Sequence, residues 1–521
     1  MANIWRGDAQ SVAQVNTITV GGTAAATQVY SVTINLKTIS YTAIGGDTNS
    51  TIAAALRALL AASTIPEFAE VTWTVLTTVI TAASKTVGVP FTNTSSATGT
   101  GTLVTATTTA NTGKYNWDDP DNWSEGRIPA GACATPVQNA PSLVAGGGLG
   151  SGTTYYYVLT AVNGNGETVK SNEQNATPSG GNLSVNLTWT AVSGADSIKI
   201  FRSTSAGVYT DTLIATIDGA LATYTDTGDT PGAGTPPGVS TAVGDDIILD
   251  QNATPIYYGT DQDYIVPASF TQNSTYSGKI GLPAWNPLGY YEYRNRYLKI
   301  SPAVVQLHYG IGGNGSSQIF LDTGSKACTI LIYGAGTAPA AGVPAVQLLC
   351  NHASTTVTVM KGSVGIANDP GSVSMLDSVR TGYQTTPSSD VTLYLGSGCD
   401  LTSATVNVSG GLVYLRSTVS ILTVNVGTVI ATGPGIDIDT LNALGGQLTY
   451  NSDGTIGAYT ISNFTIDFSQ ENKARTMTSG TISGKSVFRD PSKTVTMTSP
   501  IVVTGKDVVF DWGASYSLQR T

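Results

Sequence analysis

At 521 residues the chain has room for about three domains of the usual ~100–200 residues. Only 11% of residues are charged while 41% are hydrophobic, which excludes a solvated disordered chain; with 59 glycines and many β-branched residues it points to strands joined by tight turns. The net charge of −10, without a basic tract, removes the electrostatic term a nucleic-acid binder needs, and no uncharged apolar run reaches ~18 residues, so no membrane span is expected.

Residues 1–112 read as a small α+β domain. “MANIWRGDAQSVAQV” lacks the basic and apolar regions of a signal peptide. “QVYSVTINLKTISYTA” alternates, with Val32, Ile34 and Leu36 on one face, and predicts a hairpin turning at Lys37-Thr38. In “GGDTNSTIAAALRALLAAS”, Asp47 or Thr48 can cap a helix whose Ile52, Ala55, Leu56, Leu59 and Leu60 share a face. “AEVTWTVL”, “TVITAASKT” and “GVPFTNTSS” read as further strands. The order predicts one helix packed on a small antiparallel sheet.

Residues 113–135 hold an aromatic turn cluster, “YNWDDPDNW”, followed by “SEGRIPAGACAT”. Such a turn should lead into an apolar strand, yet “GDDIILD” comes only at Gly244–Asp250. Pro-rich “ATPVQNAPS” and “TPGAGTPPG” bracket the intervening residues 136–238. Within them about seven short alternating runs, with an Asn-Gly-Asn-Gly turn at 163–166, predict a two-sheet sandwich. The halves on either side then form one lead-in strand, interrupted by an inserted domain.

Residues 239–521 are short β runs broken by Gly, Asn or Asp, with turn glycines at Gly411, Gly427 and Gly446. This interval predicts a parallel β-helix of roughly 20-residue coils, with a two-sheet sandwich as the rival. The aromatic run Lys279–Ile300 and the terminal Phe510, Trp512 and Tyr516 are candidate caps or contacts. Cys133, Cys328, Cys350 and Cys399 have no CxxC spacing and read as small buried hydrophobes.

Catalytic and metal chemistry finds little support. His308 and His352 have no nucleophile signature nearby. Cys350 and His352 would share a strand face, but nothing completes a zinc set. The paired carboxylates are Asp261 with Asp263, Asp437 with Asp439, and Asp467 with Glu471. In “GIDIDTL” the isoleucines should face the core and the aspartates solvent. “GIGGNGSS” and “AGGGLGSG” lack the Lys-Ser/Thr of a P-loop. No cofactor is expected. Trp285, Tyr290, Tyr291, Tyr293 and Tyr297 form the candidate glycan or intersubunit contact.

“GTTYYYVLTAVNGNGET”, “LTWTAVSGADSIKIFRS” and “YTDTG” resemble fibronectin type III-like, immunoglobulin-like modules, particularly those of phage structural proteins. “VYSVTINLKTISYTAIGGDTNSTIAAALRALL…GVPFT” is similar to modules of tailed-bacteriophage virion proteins. The resemblance implies a non-enzymatic head decoration protein or head fibre on the virion surface, assembled in the host cytoplasm. It would be a homotrimer anchored to other virion proteins by its N-terminal domain. A tail fibre or tailspike binding host-surface glycans and a polysaccharide depolymerase are the alternatives.

Overall fold

The computed structural model describes residues 2–263, 265–282, 296–309, 318–337, 340, 342–382, 390–512 and 518–520. Strand accounts for 49% and helix for 4%, so the chain is mainly β, as its composition requires.

The largest element is a 26-stranded sheet whose strands pair in parallel. Most strands pair with the next but one in sequence. Asp246–Leu249, Ser269–Gln272, Val304–Tyr309, Thr329–Ala335 and Thr356–Val359 make one ladder. Leu298–Ile300, Ile319–Asp322, Val346–Leu349 and Gly362–Ile366 make a second. Further along, one strand serves both. Cys399–Leu415 pairs through Thr405–Val408 with Ser378–Thr381, and through Leu412–Leu415 with Val391–Leu395. The bend between these halves falls at Gly410 and Gly411, both at positive φ.

Glycine is required at that bend. A Cβ on Gly411 would lie 2.4 Å from the Val391 carbonyl oxygen, one on Gly427 2.8 Å from that of Gly411, and one on Gly446 2.3 Å from that of Gly427. The three turn glycines seen in the sequence thus lie one against the next. The interval between rungs varies, from Phe270 to Val305 to Ile330 early on and from Val406 to Leu422 to Leu441 later.

Alternation along these strands sends Val, Ile, Leu and aromatic residues inward, where they form one continuous buried cluster from Trp5 to Val503. Phe468, Phe488 and Phe510 succeed one another at centroid spacings of 5.4 and 5.9 Å at its C-terminal end. The side chains of Trp512 and Tyr516 lie outside the described residues.

The first strand of this sheet is unexpected. Ala2–Trp5 pairs in parallel with Asp246–Leu249, so these residues belong to the large sheet although they precede the α+β unit. That unit then begins after them. Its four-stranded sheet runs Val71–Leu76, Val79–Ser84, Val15–Gly22, Gly101–Thr109, and a three-stranded sheet runs Lys37–Thr42, Val29–Ile34, Thr94–Ala97. Helix Asn49–Ala62 starts from a capping box between Thr48 and Thr51 and buries Ile52, Ala53, Leu56 and Leu60. Leu59, expected on that face, is exposed.

The hairpin also turns earlier than expected. Asn35 and Leu36 are both at positive φ, and Ile34 pairs with Lys37. Leu36 is therefore a turn residue, 96% exposed, instead of continuing the Val32–Ile34 face. A two-residue turn matches the strand twist when both residues take positive φ, and that geometry outweighs burying one leucine.

Between 142 and 226 two antiparallel sheets share a core of Leu159, Val185, Leu187, Trp189, Ile198 and Ile200. Arg202 and Asp226 link them by a buried ion pair at 2.8 Å, and the Tyr157 hydroxyl also donates to Asp226 at 2.9 Å. All four cysteines are free. Burial pushes the thiols of Cys328 and Cys350 up to about 12.

Candidate functional sites at the head of the large sheet

The aromatic turn cluster closes one end of the large core. Trp123 packs edge-on against Trp5 at 5.1 Å and Trp117 at 4.6 Å, and all three are fully buried. A 3-10 turn, Pro120–Asn122, shapes the segment. Asp119 accepts from the Asp121 and Gly113 amides, at 3.2 and 2.9 Å. Asn122 donates to the Gly113 and Asn116 carbonyls and accepts from the Ala9 amide. Polar side chains thus replace the backbone pairing that a sheet would give these residues, while the indoles cover the core.

From here the chain passes into the 142–226 unit and returns. The lead-in is two adjacent segments, not one interrupted strand: the Cys133 amide donates to Ala242 at 3.0 Å and the Asp245 amide to Ala130 at 2.9 Å. Asp245 is the centre of this junction. Its carboxylate is fully buried and accepts from Arg127 at 2.6 and 3.1 Å, the Ala130 amide at 2.8 Å and Asn165 at 2.8 Å. Burial alone would raise its pKa, but these donors, Arg127 first, hold it below the ordinary carboxylate value. Asn163 and Asn165, from the Asn-Gly-Asn-Gly turn, bond Gly131 and Val243. That turn both closes a hairpin and fastens its unit to the large sheet. Sequence reading identified the turn but not the fastening, whose partners are distant along the chain.

The chain matches no family model, no curated protein and no solved structure.

The residues singled out from sequence are scattered. Trp285, Tyr290, Tyr291 and Tyr293 lie outside the described residues, as does 310–317. Tyr297 is half-buried, stacks edge-on against Phe320 at 5.5 Å and donates to Asp369 at 2.5 Å, beside an Arg296–Asp369 ion pair. Asp437 is half-buried and accepts from the Thr455 amide at 2.6 Å, Asp439 is exposed, and Ile436 and Ile438 are buried. Asp467 is buried and accepts from the Ser469 amide, with Arg489 at 3.6 Å, while Glu471 is exposed. Asp437 and Asp467 therefore serve turns and rung-to-rung contacts.

His308 lies flat on Tyr333 at 4.5 Å, and burial lowers its pKa. Cys350 is buried in the core, whereas His352 sits beyond the strand in a turn, accepting from the Ser354 amide. They do not share a strand face. Among the described residues no group of three or more His, Cys, Asp or Glu could hold a metal ion, and no helix is long and apolar enough to cross a membrane.

A cleft of about 540 Å³ lies where the α+β unit meets the first rungs of the large sheet. One wall carries Asn35, Leu36 and Thr92, and the other Asp118, Tyr257 and Asp261. The Tyr257 and Tyr258 amides both donate to the Tyr115 carbonyl, which holds “PIYYG” against the aromatic turn. Gly259, at φ +64°, lets Asp118 approach, since a Cβ there would lie 2.8 Å from the Asp118 carboxyl carbon. Asp118 accepts from the buried Gln262 at 2.6 Å. Partial desolvation pushes Asp118 above the usual carboxylate range; Gln262 opposes the shift and nearby Asp261 adds to it. Lys299 pairs with Asp261 at 3.1 Å. Asp261 was a sequence candidate, but its neighbour is Asp118, an exposed residue of the turn cluster.

Proposed function

We propose that this chain is a non-enzymatic structural protein of a tailed-phage particle, a head decoration protein or head fibre. Residues 239–521, with Ala2–Trp5, form a parallel β-helix that acts as a stiff body. The 136–238 unit is an immunoglobulin-like, fibronectin type III-like sandwich displayed outward for surface attachment. The α+β unit anchors the body to other virion proteins, and three copies associate.

One observation carries this reading: a single apolar core runs from Trp5 to Val503 beneath parallel strands, with a separate two-sheet unit fastened at its head by Asn165 on Asp245. A stacked parallel sheet resists bending because each rung is bonded to its neighbours along its strands. A separately cored unit whose Asn165 is gripped by the Arg127–Asp245 pair of the lead-in segments is tied to the head of the sheet at a defined point, which suits display. The turn and rung contacts of Asp437 and Asp467 give them structural work, which supports the non-enzymatic side of the proposal.

The test is the copy number and position of the chain on purified particles, by quantitative mass spectrometry and immunogold labelling of intact particles and of tail-less heads. A fixed stoichiometry retained on tail-less heads is expected. Loss with the tails would move the protein to the tail, and absence from particles would overturn the proposal.

A further inference from the structure

We propose that the cleft between the α+β unit and the first rungs of the large sheet binds a neutral saccharide. The inference concerns a different site from the display unit and stands whether or not the chain is a particle protein.

The chemistry of the two walls selects the ligand. Asp118 and Asp261 are acceptors, able to take hydrogen bonds from a pair of vicinal hydroxyls. Thr92 and Asn35 offer groups that both donate and accept. Tyr257 and Leu36 supply apolar surface against which the C–H face of a sugar ring can lie. An anionic ligand is disfavoured because no Lys or Arg is among the described residues that line the cleft, and Lys299 behind it is already committed to Asp261 at 3.1 Å. Asp118 already feels the like charge of Asp261, and a further negative charge would add to that repulsion. A purely apolar ligand is disfavoured as well, because it would strip water from two carboxylates without replacing those bonds. The volume falls within the ~300–1,000 Å³ of small-molecule sites, so the cleft can take more than an isolated hydroxyl group.

The walls are also prepared. Asn35 is tied to Glu67 at 3.1 Å. Asp118 is held by Gln262, which is 1% exposed and whose own Oε1 has no hydrogen-bond partner. Tyr257 leans on Tyr115 at 5.5 Å. Groups fixed before binding lose little freedom on binding.

The experiment is isothermal titration of the full chain with cellotetraose, maltotetraose and chitotetraose as neutral probes, and trigalacturonate and arginine amide as charged ones. At least one neutral probe should bind at one site per chain, and more tightly than either charged probe. Asp118→Asn should weaken it at least tenfold. Thr92→Trp, at an exposed position, should abolish it by filling the cleft, with an unchanged circular dichroism spectrum showing that the chain still folds. Failure of all three neutral probes overturns the proposal, as do tighter binding of a charged probe and neutral binding that survives both substitutions. None of these outcomes bears on the particle test.

Discussion

Replacing Asp245 by Ala should loosen the junction between the 142–226 unit and the large sheet without unfolding either. The substitution removes four hydrogen bonds to a fully buried carboxylate and leaves Arg127, the Ala130 amide and Asn165 without that partner. Breaking a buried ion pair by deleting one partner costs ~3–5 kcal/mol. The Arg127 side chain is 26% exposed and can recover some hydration, so the low end, about 3 kcal/mol, applies. At 1.4 kcal/mol per factor of ten, the local opening constant rises on the order of a hundredfold. Hydrogen exchange reads this directly at the Cys133, Thr241 and Asp245 amides, which bond Ala242, Glu167 and Ala130 across the junction.

Amides in the core of the large sheet should be unaffected. Asp245→Asn should lose about 1.5–3 kcal/mol, the worth of hydrogen bonds to a charged group, and Arg127→Met with Asp245→Leu should recover much of the loss. Because the folded pKa of Asp245 is depressed, its contribution is fully present above the unfolded value. It fades as pH falls through the lower folded one. The wild type should therefore gain exchange at the junction in acid, and Asp245→Asn should not show that dependence. Unchanged protection at the three junction amides in Asp245→Ala would refute the reasoning.

Gly427→Ala should destabilise by roughly 1–3 kcal/mol in urea unfolding, since its φ of +114° and the Gly411 carbonyl 2.8 Å from a new Cβ both oppose it; Gly435→Ala, at positive φ with open space around it, should lose less. Arg202→Ala should cost the 142–226 unit ~3–5 kcal/mol by stranding buried Asp226, seen as a lowered unfolding midpoint for that unit alone. Deleting 136–238 and bridging the ends should leave the remainder folded, because Cys133 and Ala242 already meet across a hydrogen bond; protease-labile or aggregated product would contradict this.

Much of the fold was legible where the signal is local. The helix at Asn49–Ala62 follows from its cap and spacing, and the stacked glycines at 411, 427 and 446 mark bends because a side chain has no room there. Non-local pairing was not legible. Four residues, Ala2–Trp5, carry no periodicity that could point to a partner at Asp246–Leu249. Leu36 followed the alternating pattern and was overruled by turn geometry. The cleft combines residues from near 35, 92, 118 and 260, so no window of sequence contains it. Asp437 and Asp439 looked like a pair by spacing, yet one is tied to the next rung and the other faces solvent.

The pairing of Ala2–Trp5 with Asp246–Leu249 sets a schedule for synthesis. The first strand leaves the ribosome long before its partner exists, and both intervening units are translated in between. At ~5–20 residues per second that wait is roughly 12–50 s, far longer than the microseconds in which a hairpin closes. Trp5 spends the interval without its rung, so the head of the sheet can be completed only after both units have had time to fold. Slowing translation between 136 and 238 would lengthen that exposure, and speeding it would shorten it.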